Sequence, residues 1–155
     1  MKLLLAKRTR LVTVTLVAGC LVLIGALAPD SVVLRRKLME SNNSLVAEAL
    51  NKAIKEKNFA EIEGKCDVIL ENMDKVLDFF PAGSLSENSR AKPEIWERWG
   101  EFTKHPPNVK KAARELAAAA RAGDEEAVKV RFKALGQACK GCHESFRTPK
   151  PKQGP

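Results

Sequence analysis

The chain has 155 residues, room for one domain and an export segment. Apolar residues make up 45% of it, aromatics only 5%, and tyrosine is absent; Leu, Ala, Lys and Glu dominate, which favours helices over strands. The formal charge of +8 sits partly on Lys2, Lys7, Arg8 and Arg10, leaving 23 bases against 19 acids beyond them, too mild and unclustered a surplus for nucleic-acid binding.

Residues 1–10 are basic, and Leu11 to Ala28 run for 18 residues without a charge. This pattern predicts export. Ala26-Leu27-Ala28 offers small residues for cleavage, but Pro29 is a poor residue directly after a cut. Val17-Ala18-Gly19-Cys20 resembles a lipoprotein box, although seven of the eight residues after Cys20 are apolar. An uncleaved anchor fits as well, since 18 residues at ~1.5 Å each span about 27 Å, close to a hydrocarbon core. The basic flank would then stay cytoplasmic and the domain would be periplasmic. We favour the anchor, with residues 1–28 as signal peptide or membrane anchor and attachment through residues 11–28.

Four helices are predicted beyond the leader. From about Ser31 to Glu56 there is no Pro or Gly, and Leu34, Leu38, Leu45, Ala49 and Ile54 recur at helical spacing. From Phe59 to Phe80 an apolar stripe contains Ile62, Cys66, Ile69, Met73, Leu77 and Phe80. Cys66 on that stripe reads as a buried free thiol and Met73 as core. Pro81-Ala82-Gly83-Ser84 opens a polar loop to Lys92. Pro93 suits the first turn of a third helix, which carries Ile95, Trp96, Trp99 and Phe102 and resumes through Leu116 to Ala122. Pro106-Pro107 predicts a kink or short break within it, with His105 exposed beside the prolines. Gly123-Asp124 ends this helix and caps a fourth, from Glu125 to about Arg147. The expected fold is all-α, an antiparallel four-helix bundle over residues 29–148 with short connections. Residues 149–155, rich in proline, are expected to be a disordered tail.

Cys139-Lys140-Gly141-Cys142-His143 is the C-x-x-C-H pattern of covalent haem attachment. Two thiols must reach two vinyl groups on one porphyrin edge while an imidazole turns under the iron. On a helix, positions i, i+3 and i+4 share a face, so Cys139, Cys142 and His143 point together. A redox dithiol normally opens a helix after a strand, and no strand is evident. A zinc site lacks a second Cys or His pair, and a plain disulfide makes His143 a coincidence. There is no general base, nucleophile or substrate-pocket signature, so an enzyme is not expected.

The chain resembles the cytochrome c′ family, the class II c-type cytochromes, over residues 31–147. The resemblance rests on Arg35-Arg36-Lys37-Leu38-Met39, Phe80-Pro81-Ala82-Gly83-Ser84, Arg90-Ala91-Lys92-Pro93-Glu94-Ile95-Trp96, and Cys139-Lys140-Gly141-Cys142-His143-Glu144-Ser145-Phe146-Arg147. It implies one covalent haem c near the C-terminus of the bundle, with His143 as an axial ligand. The family's distal residue lies four after an arginine, which here is Met39 after Arg35. A methionine in this region ligates iron in the low-spin branch, giving a raised potential suited to electron transfer. Our leading expectation is therefore a monohaem periplasmic electron carrier, His/Met-ligated, that meets redox partner proteins. The alternative is a five-coordinate, high-spin member that binds NO or CO, with Met39 only packed against the haem. The resemblance also implies that Arg35 can pair with a propionate, that Arg147 lies beside the proximal imidazole, and that two copies can dimerise through their first two helices. Pro106-Pro107 departs from the uninterrupted third helix of the family.

Overall fold

Asp30 accepts the Val32 amide at 2.8 Å and so starts α1 (Ser31–Ser44), its carboxylate also meeting the positive end of the helix dipole. The computed structural model describes residues 30–149. The expectations for the leader, for Cys20 and for residues 150–155 lie outside them. Among the described residues no helix is long and apolar enough to cross a membrane.

From α1 the chain continues through a π-helical turn, Leu45–Ala49, into α2 (Leu50–Lys55). A π turn takes up an extra residue and rotates the buried face. Val32, Arg35, Leu38, Leu50 and Ala53 are buried, whereas Leu45, Ala49 and Ile54, assigned to the core by uniform spacing, are half-buried. Lys57 then turns left-handed at φ 55°. Asn58 accepts the Glu61 amide at 3.2 Å, which caps α3 (Phe59–Lys75). Ile62, Cys66, Ile69 and Met73 are buried along α3, as their spacing predicts. At Val76–Phe79 the helix tightens to a 3-10 turn, so Val76 takes the buried position and Leu77 is half-buried.

The third helix differs from expectation. Pro93 precedes a single turn, α4 (Glu94–Glu97). Arg98, at φ −120° and ψ 42°, breaks the helix before a second turn, α5 (Trp99–Phe102). The long helix α6 (His105–Arg121) starts only at His105. Pro106 and Pro107 occupy its first turn, where the amide donors they lack have no intrahelical partner. The proline pair therefore begins this helix instead of kinking it, and the link between second and third rods is long, not short. Gly123, at φ 67°, stops α6. Asp124 accepts the Ala127 amide at 2.9 Å and caps α7 (Glu125–Phe146), as the sequence indicates.

Four helical rods thus make a four-helix-bundle-like fold: α1 with α2, α3, α6 and α7. Helix α6 packs against both α3 and α7 and buries a mostly alanine face, Ala113, Ala117 and Ala120 beside Leu116. Leu50, Ile62, Ile69, Leu116, Val128 and Leu135 are enclosed between the rods. Away from them, one antiparallel bridge joins Ala91 to Arg147. It ties the connecting loop to the end of α7, and this is what shapes the site.

Candidate cofactor site

Cys139, Cys142 and His143 lie within α7 at spacings that share one helix face, and all three line a cleft of about 1430 Å³. That exceeds the roughly 300–1,000 Å³ of an ordinary small-molecule pocket. Met39 contributes from α1, Ile69 and Met73 from α3, Val109 from α6, and Phe80 and Phe102 from the connection. Arg35 and Arg147 also line it, so every residue singled out from sequence for the site meets in one place.

Burial sets the protonation of the α7 groups. His143 is pushed down to about 4, first by burial and then by Arg147 and Arg90. Its imidazole is therefore neutral at neutral pH, with a lone pair to give to a metal. Burial raises the Cys139 thiol and lifts Cys142 to about 11, with Cys139 adding to the rise and Arg147 opposing it. The two thiols are not bonded to each other. Among the described residues no group of three or more His, Cys, Asp or Glu could hold a metal ion. A flat, mostly apolar macrocycle joined at its edge would fit the cleft, with Cys139, Cys142 and His143 as the residues that could hold it.

Arg35 is only 3% exposed. Its Nη1 donates to Ser84 Oγ at 2.9 Å and to the Phe79 carbonyl at 3.4 Å. Its Nη2 donates to Ser89 Oγ at 2.9 Å and to the Ser84 carbonyl. The guanidinium also sits 5.0 Å over the Phe80 ring. Only Nε lacks a partner. Arg35 thus clasps the loop to α1. Trp96 helps hold the same loop, donating from Nε1 to the carbonyls of Phe80 and Pro81 at 3.1 and 3.0 Å. The amide of Arg147 donates to the His143 carbonyl at 3.2 Å, and burial, then Arg90, lowers its guanidinium pKa.

His105 was expected to be exposed. It is half-buried, with its ring 5.5 Å from that of Phe146 in a T-shaped pair, and it lines the cleft. Two prolines directly after it were the available signal, because Pro-Pro suits a helix start and so places His105 at the head of α6. Arg90 was also missed. It reaches the cleft through the 91–147 bridge, a pairing between distant segments that no local pattern marks.

A helical bundle whose last helix turns two thiols and an imidazole into an apolar cleft has the architecture of a c-type cytochrome. The family model described as Cytochrome C′ matches residues 30–147, and this chain belongs to that family and carries covalent c-type haem. It is 36% identical over 89 residues to the cytochrome c′ of Pararhodospirillum photometricum, a match covering 57% of this chain and 71% of the relative. It is 34% identical over 93 residues to the cytochrome c-554 of Cereibacter sphaeroides, covering 57% and 60% respectively. The structure is also similar to the nitric oxide complex of a mutant cytochrome c prime from Alcaligenes xylosoxidans. That likeness has a TM-score of 0.69 at 25% identity and covers 78% of this chain and 95% of that one.

Proposed function

We propose that haem is joined to Cys139 and Cys142, that His143 is its proximal ligand, and that the protein binds NO or CO at an open sixth position. The His/Met electron carrier, placed first from sequence, becomes the second reading. The observation that carries this order is the likeness to a cytochrome c prime solved with nitric oxide. In keeping with it, Met39 packs against the hydrophobic core cluster, as a residue of the distal wall would.

When bound, the haem iron supplies a coordination position for a small ligand. The rest of the work falls to the chain. Helix α7 fixes the edge of attachment, and neutral His143 gives its lone pair from the proximal side. The walls formed by Ile69, Met73, Val76 and Val109 exclude water and disfavour charged ligands, which leaves a neutral diatomic at an advantage. Met39 fills the distal side with a soft, polarizable thioether. Arg35, which lines the cleft, is the residue we assign to a propionate. Positive charge at Arg147 and Arg90 makes His143 a weaker electron donor to iron. The same reading has residues 1–28 export the domain to the periplasm.

The test is the visible spectrum of the ferrous protein before and after CO. A broad high-spin spectrum that shifts with CO, and keeps its character in Met39→Ala, is expected. A sharp, split low-spin spectrum that CO barely alters, and that turns high-spin in Met39→Ala, would restore the electron-carrier reading.

A further inference from the structure

We propose that His105 is a redox-linked proton site, taking up one proton when the haem gains an electron and releasing it on oxidation. The proposal rests on the haem placement given above and is independent of what occupies the sixth position. The electron comes from an external one-electron donor and the proton from solvent.

The fold brings this imidazole to the attachment segment. His105 is the first residue of α6, with Pro106 and Pro107 directly behind it, and α6 packs against α7. A methyl built on Gly141, between Cys139 and Cys142, would lie 4.0 Å from both Cε1 and Nδ1 of His105. The ring is also T-shaped against Phe146, 5.5 Å between centres, and it lines the cleft with Cys139, Cys142 and His143. His105 therefore stands beside the stretch of α7 that carries the macrocycle, with no side chain on Gly141 to hold it off. The chain has two histidines. With His143 committed to iron, His105 is the one imidazole left to titrate near neutrality. It is half-buried, open enough to exchange a proton with water and covered enough that water screens the haem charge from it poorly.

The surrounding charges set the range. Glu101 favours the protonated ring, but its carboxylate is bonded to Arg98 at 3.1 Å, and the Arg98 guanidinium sits 5.3 Å over Phe146. Lys104 precedes His105 in the chain. On α7, Lys140 is paired with Glu144 at 3.3 Å; Arg147, and Arg90 and Lys92 from the connection, reach the same cleft. Burial outweighs Glu101 and holds the imidazole below its ordinary 6.5. An electron added to the haem acts in the opposite sense and raises its proton affinity. By linkage, the reduction potential falls as pH rises between the ferric and ferrous pKa values of His105, a span that begins on the acid side of neutrality.

The experiment follows the holoprotein from about pH 4.5 to about pH 8 at fixed ionic strength, by proton NMR of the His105 ring and by spectroelectrochemical titration. The ring is expected to bind its proton about threefold or more tightly in the ferrous than in the ferric protein. Wild-type potential should fall with pH over the same span. His105→Gln and His105→Asn should lose that segment of the curve and keep the haem spectrum. Lys133→Gln, which removes an exposed charge of α7 outside the cleft, should retain it. Because His105 is the one free imidazole, the wild-type NMR decides even where a variant fails to load haem. Equal proton affinity in the two oxidation states would overturn the proposal. A pH dependence of the potential unchanged in both variants would overturn it as well and assign the proton to another group. The reading beneath it fails by different signs: haem that leaves the denatured chain defeats attachment at Cys139 and Cys142, and a low-spin spectrum untouched by CO defeats only the open sixth position.

Discussion

Arg35 and Cys66 are both buried, the first among hydrogen-bond acceptors and the second in apolar packing. Arg35 stands on α1 between Leu34 and Leu38, and the family resemblance offered it only a propionate as partner. Ser84, Ser89 and the Phe79 carbonyl lie far along the chain, and only the fold brings them to it. Charge-assisted hydrogen bonds contribute roughly 1.5–3 kcal/mol each, less the cost of burying the guanidinium. We expect Arg35→Ala to lower unfolding stability by about 2 kcal/mol or more, read from the urea midpoint at unchanged slope. Cys66 was legible, because its stripe position alone puts it in the core. Burial, then Asp67 and Glu63, lifts its thiol to about 12 from an ordinary 9.0. The folded state therefore disfavours the thiolate. The corresponding stability is fully present below about pH 9 and is lost as pH rises toward about 12. Cys66→Val should flatten that alkaline decline in urea midpoints, and the native thiol should react with a thiol reagent only on unfolding.

Asp124 was read from the sequence as a cap and is one; Asp30 and Asn58 cap α1 and α3 as well but were not read, although capping is local chemistry between residues two or three apart. Asp124→Ala is expected to cost about 0.5–2 kcal/mol. Gly123→Ala should cost roughly 1–2 kcal/mol through its positive φ, since the new methyl would meet nothing closer than Phe59 at 3.9 Å. Thermal unfolding measures both. The π turn at Leu45–Ala49 and the 3-10 turn at Val76–Phe79 were not legible, because packing against neighbouring rods selects them and no residue signature does. Pro106-Pro107 was read as a helix interior when it is a helix start. That difference has a testable size: Pro107→Ala should change stability by at most about 1 kcal/mol, whereas relief of an interior proline would be worth about 3 kcal/mol or more.

At the scale of the whole molecule, the motif was visible because Cys139, Cys142 and His143 are contiguous. The cleft they face was not, because its walls come from residues as far apart as Met39, Ile69, Phe102 and Val109. Those walls are continuous with the hydrophobic core, so a macrocycle held there would extend that core. The double variant Cys139→Ala/Cys142→Ala, purified without haem, should keep most of its helical circular dichroism. It should also lose cooperative melting and bind a hydrophobic dye. The burial of the two thiols has a further meaning, in time. A thiol attacks as its thiolate, and a folded cleft that lifts Cys142 to about 11 keeps that form scarce at neutral pH. Attachment through these thiols, as proposed, would therefore run faster on an open chain than on a folded one.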